Sequence, residues 1–309
     1  MKSVAIEEFM KMMNLKLLYD GERSQIIFKT REVNRIGLQL TGFFDFFPPD
    51  HIQLFGLTEM SYMEQKRSVE ERVAVFEHLM SYEIPCIIIC HDVPCPPELM
   101  RAAHKWHRPV FFSPLNTSEV SNFAVNYLSR ILAPRILTHG VLMEINGLGV
   151  LITGESGIGK SETALELIHR GHLLVADDAV EIYRSLGGRL IGEAPQTTRY
   201  FIELRGLGIL NVRELYGVGR IRRAKALDMV IELERWDSTR TYDRIGLRND
   251  TIEMLDVVLP RSIIPIMPGR NLAIILEIAA RNVQVKTMGY DPIHELQQRI
   301  ESSWDDWED

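Results

Sequence analysis

The sequence predicts an α/β chain of two domains, the second built on a mixed sheet around a phosphate-binding loop. Three observations carry this. Residues 154–161 read GESGIGKS, which fits G-x-x-x-x-G-K-[ST] at every fixed position. Ala133-Pro134 ends a helical pattern near the middle of a 309-residue chain, a length that accommodates two domains. Asn146-Gly147 lies between two apolar runs, a strong hairpin signal.

Residues 1–130 are expected to form one α/β domain. Val69, Val73, Phe76 and Met80 recur at helical spacing. Residues 84–90 read as a core strand closed by the Asp92-Val93-Pro94 turn. Pro96 and Pro97 open a short helix with Leu99, Ala103 and Trp106 on one side. Thr117 or Ser118 is expected to cap the next, whose apolar stripe is Val120, Phe123, Tyr127 and Ile131. These positions read as core, and this half carries no recognisable chemistry. Three cysteines, Cys86, Cys90 and Cys95, crowd around the strand with His91, a grouping that suggests a metal. Ile87, Ile88 and Ile89 between them argue for buried structural thiols instead.

Composition narrows the class. Hydrophobic residues at 46% and charged residues at 25% are those of a soluble globular protein. A net charge of −7 argues against a nucleic-acid partner held through phosphates. No apolar run reaches the length of a membrane span. The opening stretch contains Glu7 and Glu8 and is not a signal peptide, and the odd number of closely spaced cysteines argues against a disulfide framework, so the protein is expected to be cytoplasmic. Arg220, Arg222, Arg223 and Lys225 cluster, either as a solvated loop or as an anion or acidic-partner site.

The second domain, residues 131–309, holds the chemistry. Residues 150–153 form an apolar strand into the loop, and 162–170 form a helix with Gly171 at its end. Gly154, Gly157 and Gly159 let the backbone turn and aim N–H groups at phosphate, with Glu155, Ser156 and Ile158 between them. Lys160 reaches the β- and γ-phosphates, and the Ser161 hydroxyl is a ligand for Mg²⁺. The strand 141–145 pairs antiparallel with 150–153 across Asn146-Gly-Leu-Gly149. With Ile145 opposite Val150, His139 falls level with Ser156; a tighter turn sets it level with Gly154. Either register puts His139 beside the loop.

Another apolar strand ends in Asp177-Asp178, where a nucleotide site keeps a metal ligand and a base. Adjacent residues on an extended chain point to opposite sides, so one acid faces the phosphates. The other holds metal-bound water or a neighbouring backbone. Glu203, on a strand before a glycine-punctuated turn, is a candidate second Mg²⁺ ligand. Arg244 stands in a loop. The turn Pro265-Ile266-Met267-Pro268-Gly269-Arg270 sets Arg270 at a helix start. Either arginine can stabilise a phosphoryl group in transfer. Residues 271–282 read as an apolar helix, Asp291-Pro292 caps a final one, and the tail is acidic.

The ordered set His139-Gly140, GESGIGKSETALELIHRGH, LVADDAVEI, IELRGLGILNVRELYGVG, Arg244 and PGRN closely resembles the bifunctional HPr kinase/phosphorylase family, from about residue 130 to 286. Glu155 and Ile158, where Asp and Val are expected, are conservative departures outside the motif. The resemblance implies a subunit of a homohexamer, with a phosphate-loop (P-loop) core like that of phosphoenolpyruvate carboxykinase. It implies ATP-dependent phosphorylation of a serine on the phosphocarrier HPr. It also implies the reverse reaction with inorganic phosphate, yielding pyrophosphate, and a part in carbon catabolite repression. His139, Lys160, Asp178 and Arg244 would be catalytic, and Ser161 and Glu203 would hold Mg²⁺. Residues 202–211 would serve both directions, and 265–270 mainly dephosphorylation. A small-molecule kinase on the same core and a nucleotide-driven switch are the competing readings.

Overall fold

The computed structural model describes residues 1–239, 250–267 and 269–305. The chain divides into two compact units, Met1–Ala133 and Pro134–Asp309. No helix among the described residues is long and apolar enough to cross a membrane.

The first unit runs β1 (Lys2–Ala5), α1 (Ile6–Met13), β2 (Lys16–Tyr19), β3 (Gln25–Phe28), β4 (Val33–Arg35), β5 (Ile52–Phe55), α2 (Leu57–Lys66), α3 (Val69–Ser81), β6 (Ile87–Ile89), α4 (Pro97–Trp106), β7 (Val110–Phe112) and α5 (Thr117–Leu132). Its main sheet has the order β2-β7-β6-β5-β4, parallel from β4 to β7 with β2 antiparallel at the edge. The side-chain period of two sends Ile88 to one core with Phe9, Phe111 and Leu128. Ile87 and Ile89 go to the other, with Phe76, Leu79 and Leu99. Cys86 and Cys90 are fully buried in the core that holds Ile88. Burial pushes the Cys90 thiol up to about 12 and the Cys86 thiol higher still, so both are inert neutral groups. The expected cap on α5 is corrected. Thr117 is already the first helical residue, and Asn116 accepts from the Glu119 N–H at 2.9 Å while Glu119 accepts from its N–H at 3.1 Å.

The second unit continues with β8 (Arg135–His139), β9 (Val141–Ile145), β10 (Leu148–Gly154), α6 (Lys160–His169), β11 (Leu173–Ala176), β12 (Ala179–Arg184), β13 (Leu190–Glu193), β14 (Phe201–Leu204), β15 (Gly208–Asn211), α7 (Val212–Tyr216), β16 (Ala224–Ala226), β17 (Met229–Arg235), β18 (Thr251–Met254), β19 (Val257–Ile266), α8 (Leu272–Thr287) and α9 (Pro292–Asp305). A six-stranded mixed sheet, β11-β9-β10-β17-β19-β18, forms its centre. A four-stranded sheet, β16-β13-β12-β8, and a β14–β15 hairpin complete it. Along β10, Val150 and Ile152 face a core shared with α6 and α8, through Leu167, Ile168 and Leu276. Leu151 points the other way, into a core with Val180, Ile182 and Leu190 of the four-stranded sheet. Both faces of the central sheet are therefore covered, as its near-continuous apolar strands require.

The hairpin turn is tighter than the four residues the sequence suggested. Asn146 (φ +50°) and Gly147 (φ +84°) make the whole turn, and Leu148 and Gly149 belong to the strand. Pairing is Ile145 with Leu148 and Met143 with Val150, so the tighter of the two expected registers is the one adopted, not Ile145–Val150. The six-stranded sheet also sets direction. β10 and β11 both run antiparallel to β9, and β17 and β19 run parallel to β10. Four strands thus end at one edge, the position at which open α/β sheets bind ligands.

Glu277 of α8 fastens this layer. Arg170 donates to it from Nε at 3.0 Å and Nη2 at 2.6 Å, and the His172 ring lies at 2.8 Å. The Arg170 guanidinium, aided by His172, holds the Glu277 carboxyl down at about 2, against its ordinary 4.5 and despite partial burial. A depressed carboxylate stabilises the fold fully above its unfolded value and loses that contribution as pH falls through its folded one. Glu277→Gln is expected to cost about 1–3 kcal/mol at neutral pH, the scale of hydrogen bonds to charged groups. The gap between variant and wild type should close from about pH 4.5 towards 2 in urea unfolding series. A gap independent of pH would show that the ionised pair contributes nothing.

Candidate active site

β10 ends at Gly154, and the chain turns through residues 155–158 into α6. Gly159 (φ +100°) is the N-cap and supplies no side-chain bond, so the first N–H groups of α6 are open to an anion. Lys160 Nζ donates to the Gly154 and Glu155 carbonyls at 2.8 Å each, which curls the ammonium over the loop. The Thr163 hydroxyl donates to the Gly159 carbonyl at 2.7 Å and braces the turn. Glu155 is exposed and pairs with Arg235 at 3.3 Å, while Ile158 is buried and anchors the loop in the core.

β11 delivers the two acids to the same edge, and they do point apart. Asp177 is 4% exposed. Its Oδ1 accepts from the Ser161 hydroxyl at 2.9 Å and its Oδ2 from the Glu203 N–H at 3.0 Å. Burial raises its pKa, opposed by those two bonds. Asp178 adopts φ +64° and turns its carboxylate outward, 78% exposed. The left-handed backbone is a local strain that reverses the side chain between two strands.

His139 reaches this edge by a route the hairpin did not predict. It ends β8, in the four-stranded sheet, where it pairs with Ala179 of β12 rather than extending β9. The Gly140 N–H donates to the Asp178 carbonyl at 3.0 Å. His139 Nδ1 lies 3.8 Å from Asp178 Oδ1, an ion-pair distance when the ring is protonated. The imidazole is therefore beside the exposed acid.

A cleft of about 130 Å³ collects Ser156, Lys160, Ser161, Asp178, Glu203 and Arg205 among its walls. Glu203 comes from β14, where it pairs with Ile209 of β15. Arg205 follows in the turn. Its guanidinium lies against Gly157 (φ +78°), where an added Cβ would meet Nη1 at 2.7 Å. The donor set of Ser161 and Glu203 is all hard oxygen, and a magnesium ion takes one or two such protein ligands beside phosphate and water. The residues present fit that ion.

Other expectations land elsewhere. Pro265 and Ile266 are the last residues of β19, paired with Glu234 and Arg235, so the turn starts at Met267. β-Pairing on that strand continues further than the proline suggested, through Ile266 opposite Arg235. Gly269 has φ +82°, and Arg270 is exposed just before Asn271, the N-cap of α8. This turn leaves the same sheet edge as the loop at 154–161, but none of its described residues lines the cleft. Arg244 and Pro268 lie outside the described residues, as do residues 306–309 of the acidic tail. The basic cluster is largely engaged within the chain: Arg222 and Lys225 pair with Glu144 at 2.6 and 3.3 Å, and Arg220 donates to the Gly171 carbonyl at 2.9 Å. Sequence reasoning assigned no bond between Asp177 and Ser161, and to Arg205 only a place in the segment 202–211. A glycine at 157, where the motif leaves the residue free, was the available signal for the second.

Comparison with known proteins gives a consistent answer. The family described as HPr Serine kinase C-terminal domain matches residues 130–300, and HPr Serine kinase N terminus matches 4–128. The chain is 47% identical over 305 residues to a protein of Alkaliphilus metalliredigens named HPr kinase/phosphorylase, covering 98% of each. It is 43% identical over 299 residues to one of that name from Listeria monocytogenes, covering 97% of this chain and 96% of the other. A solved structure, that of the Hpr(Ser) kinase/phosphatase from Coxiella burnetii, is 34% identical, with a TM-score of 0.48, and covers 52% of this chain and 98% of its own.

Asp177→Ala strips the acceptor from the Ser161 hydroxyl and the Glu203 N–H at once. The expected loss is about 1–3 kcal/mol in urea unfolding, with faster hydrogen exchange at the Glu203 amide. Ser161→Ala removes one of the two bonds and should cost less. Unchanged exchange at Glu203 would mean that its hairpin is held by other contacts.

Proposed function

The chain belongs to the HPr serine kinase family, and we propose that it is a protein kinase/phosphorylase that moves a phosphoryl group between ATP and a serine of HPr, in both directions. One observation carries the reading: an exposed carboxylate, Asp178, shares a single cleft with Lys160, Ser161 and Glu203. A base that must meet a serine on another protein has to be accessible, and a phosphate site has to supply cations and N–H donors. This cleft combines both.

Residues 154–161 form the phosphate loop of a P-loop core of the phosphoenolpyruvate-carboxykinase kind. The open N–H groups of α6 and Lys160 bind the phosphates of ATP. Ser161 and Glu203 hold Mg²⁺, which neutralises phosphate charge when bound. Asp178 takes the proton of the attacking serine hydroxyl as the new O–P bond forms and the bond to the ADP oxygen breaks. His139, 3.8 Å from Asp178, orients the carboxylate. Arg244 adds charge stabilisation to the phosphoryl group.

In the reverse direction inorganic phosphate occupies the loop. Its oxygen attacks the phosphoserine phosphorus, the serine O–P bond breaks, and Asp178 returns the proton to the serine oxygen, leaving pyrophosphate. The turn of Pro265, Ile266, Met267, Pro268, Gly269 and Arg270 serves mainly this direction. The enzyme acts in the cytoplasm as a homohexamer and takes part in carbon catabolite repression.

Incubation with ATP, Mg²⁺ and purified HPr should add one phosphoryl group to HPr by intact mass, and phosphate should remove it with release of pyrophosphate. Asp178→Asn keeps the volume but not the proton acceptor, so kcat should fall about 10²-fold or more with nucleotide affinity little changed. A larger loss in Asp177→Asn than in Asp178→Asn would reassign the base. Arg270→Ala should lose more phosphorolysis than kinase activity, because free phosphate has few contacts and depends on each. Assays of both directions on one preparation decide this, and a larger kinase loss would move Arg270 to the nucleotide.

A further inference from the structure

The loop at 154–161 and the turn that carries Arg270 leave the same sheet edge from different strands, β10 and β19, with β17 between them. Their spacing depends on what ties one to the other. At its start the turn is held by the sheet: Ile266 pairs with Arg235, and its carbonyl accepts from the Trp236 N–H at 3.2 Å. Within the turn, the Arg270 N–H donates to the Met267 carbonyl at 3.3 Å. The far end is Asn271, the N-cap of α8, and there the tie runs to another helix. Asn271 Nδ2 donates to Glu166 Oε1 at 2.6 Å, across 105 positions of chain. Glu166 belongs to α6, the helix that the loop opens.

The amide of Asn271 is used on both arms. Its Oδ1 accepts from the Ile274 N–H at 3.0 Å, which caps α8. Asp caps a helix as well as Asn does, but a carboxylate has no hydrogen to give to Glu166. The cap alone therefore does not account for an asparagine, whereas cap and tie together do. Further along, Arg170 and His172 hold Glu277, and Leu167 and Ile168 share a core with Leu276. Those contacts fasten the bodies of the two helices. The Glu166–Asn271 bond acts instead at the residue directly after Arg270. Neither of its side chains lines the cleft.

We propose that Glu166 is a positioning residue for the phosphate-consuming direction: through Asn271 it fixes the turn at 267–270, and with it Arg270, relative to the loop at 154–161. The proposal rests on the functional reading above, in which that turn serves mainly the removal of phosphate from phosphoserine. Inorganic phosphate has no nucleoside to anchor it, so its binding is sensitive to the spacing of the few groups that hold it. A misplacement of about 1 Å is enough to cost a large factor in rate. Glu166 exchanges no proton, and the bonds made and broken are those already given.

The test assays both directions on the full chain, with ATP and HPr and with inorganic phosphate and phosphoserine-HPr. Asn271→Asp keeps the cap, removes the donor and sets two carboxylates face to face. The KM for phosphate should rise about tenfold, while the KM for ATP stays within about twofold. Adding Glu166→Gln restores a donor opposite the new carboxylate, so the double variant should recover most of the loss. It keeps the added negative charge, and recovery therefore separates spacing from repulsion of phosphate. Glu277→Gln is the structural control. It loosens the same two helices farther from the turn and should lower stability without changing the ratio of the two rates. Equal losses in both directions in Asn271→Asp, or no recovery in the double variant, would overturn the proposal. So would an equal shift of the ratio in Glu277→Gln, which would make the effect that of a loosened layer. An Arg270→Ala variant with an unaltered KM for phosphate would instead sink the reading of the turn itself, and the proposal with it.

Discussion

Asp177 joins three segments that are remote in the chain: the strand it ends, the helix start at Ser161 and the hairpin at Glu203. Its carboxylate is buried, and such a group is tolerated only where hydrogen bonds compensate for lost water. Here both oxygens are used, one by a hydroxyl and one by a backbone amide. The cost of burial thus enforces the geometry. If either donor moves, an ionised oxygen is left without a partner. The loop, the hairpin carrying Glu203 and Arg205, and the turn into Asp178 all take their positions from this contact.

The neighbouring acid shows the complementary solution. Asp177 and Asp178 have the same side chain and adjacent positions, yet one is sealed and the other stands in solvent. The left-handed backbone at Asp178 makes the separation complete. One carboxylate can then be structural while its neighbour stands open to solvent. Two acids facing the same way would repel and raise each other's pKa.

Much of this was legible from residue types. The loop, its flanking strand and helix, the opposed acids and the Asn-Gly hairpin follow from local rules, and local rules act within a few residues. Helices α3 and α4 were found for the same reason, although Val69, Trp106 and, on α5, Phe123 are exposed rather than part of the core the sequence suggested. The errors lie where tertiary pairing decides. His139 was aligned by extending the hairpin, but Gly140 marks a switch of sheet, and β8 pairs with β12 instead. Pro265 suggested a turn, yet parallel pairing with β17 carries the strand through Ile266. The cap of α5 moved by one residue because Asn116 can accept from Glu119 while Glu119 bonds back. The seat of Arg205 on Gly157 depends on a contact between residues almost fifty positions apart, which no spacing rule reports.

The order of strands in the central sheet bears on how the protein comes into being. β9 and β10 meet through a two-residue turn, so the strand that enters the loop can pair early and locally. Its other neighbour, β17, is supplied only after β11 to β16 have been made, and β19 later still. Parallel pairings of this range are slow because a long loop must close before any contact rewards it. On a ribosome, the phosphate loop therefore emerges long before the sheet edge that gives it shape. From residue 161 to residue 266 of the 309, a nascent chain carries the glycine-rich loop without all the strands that flank it, and the cleft takes shape only when the fold is nearly complete.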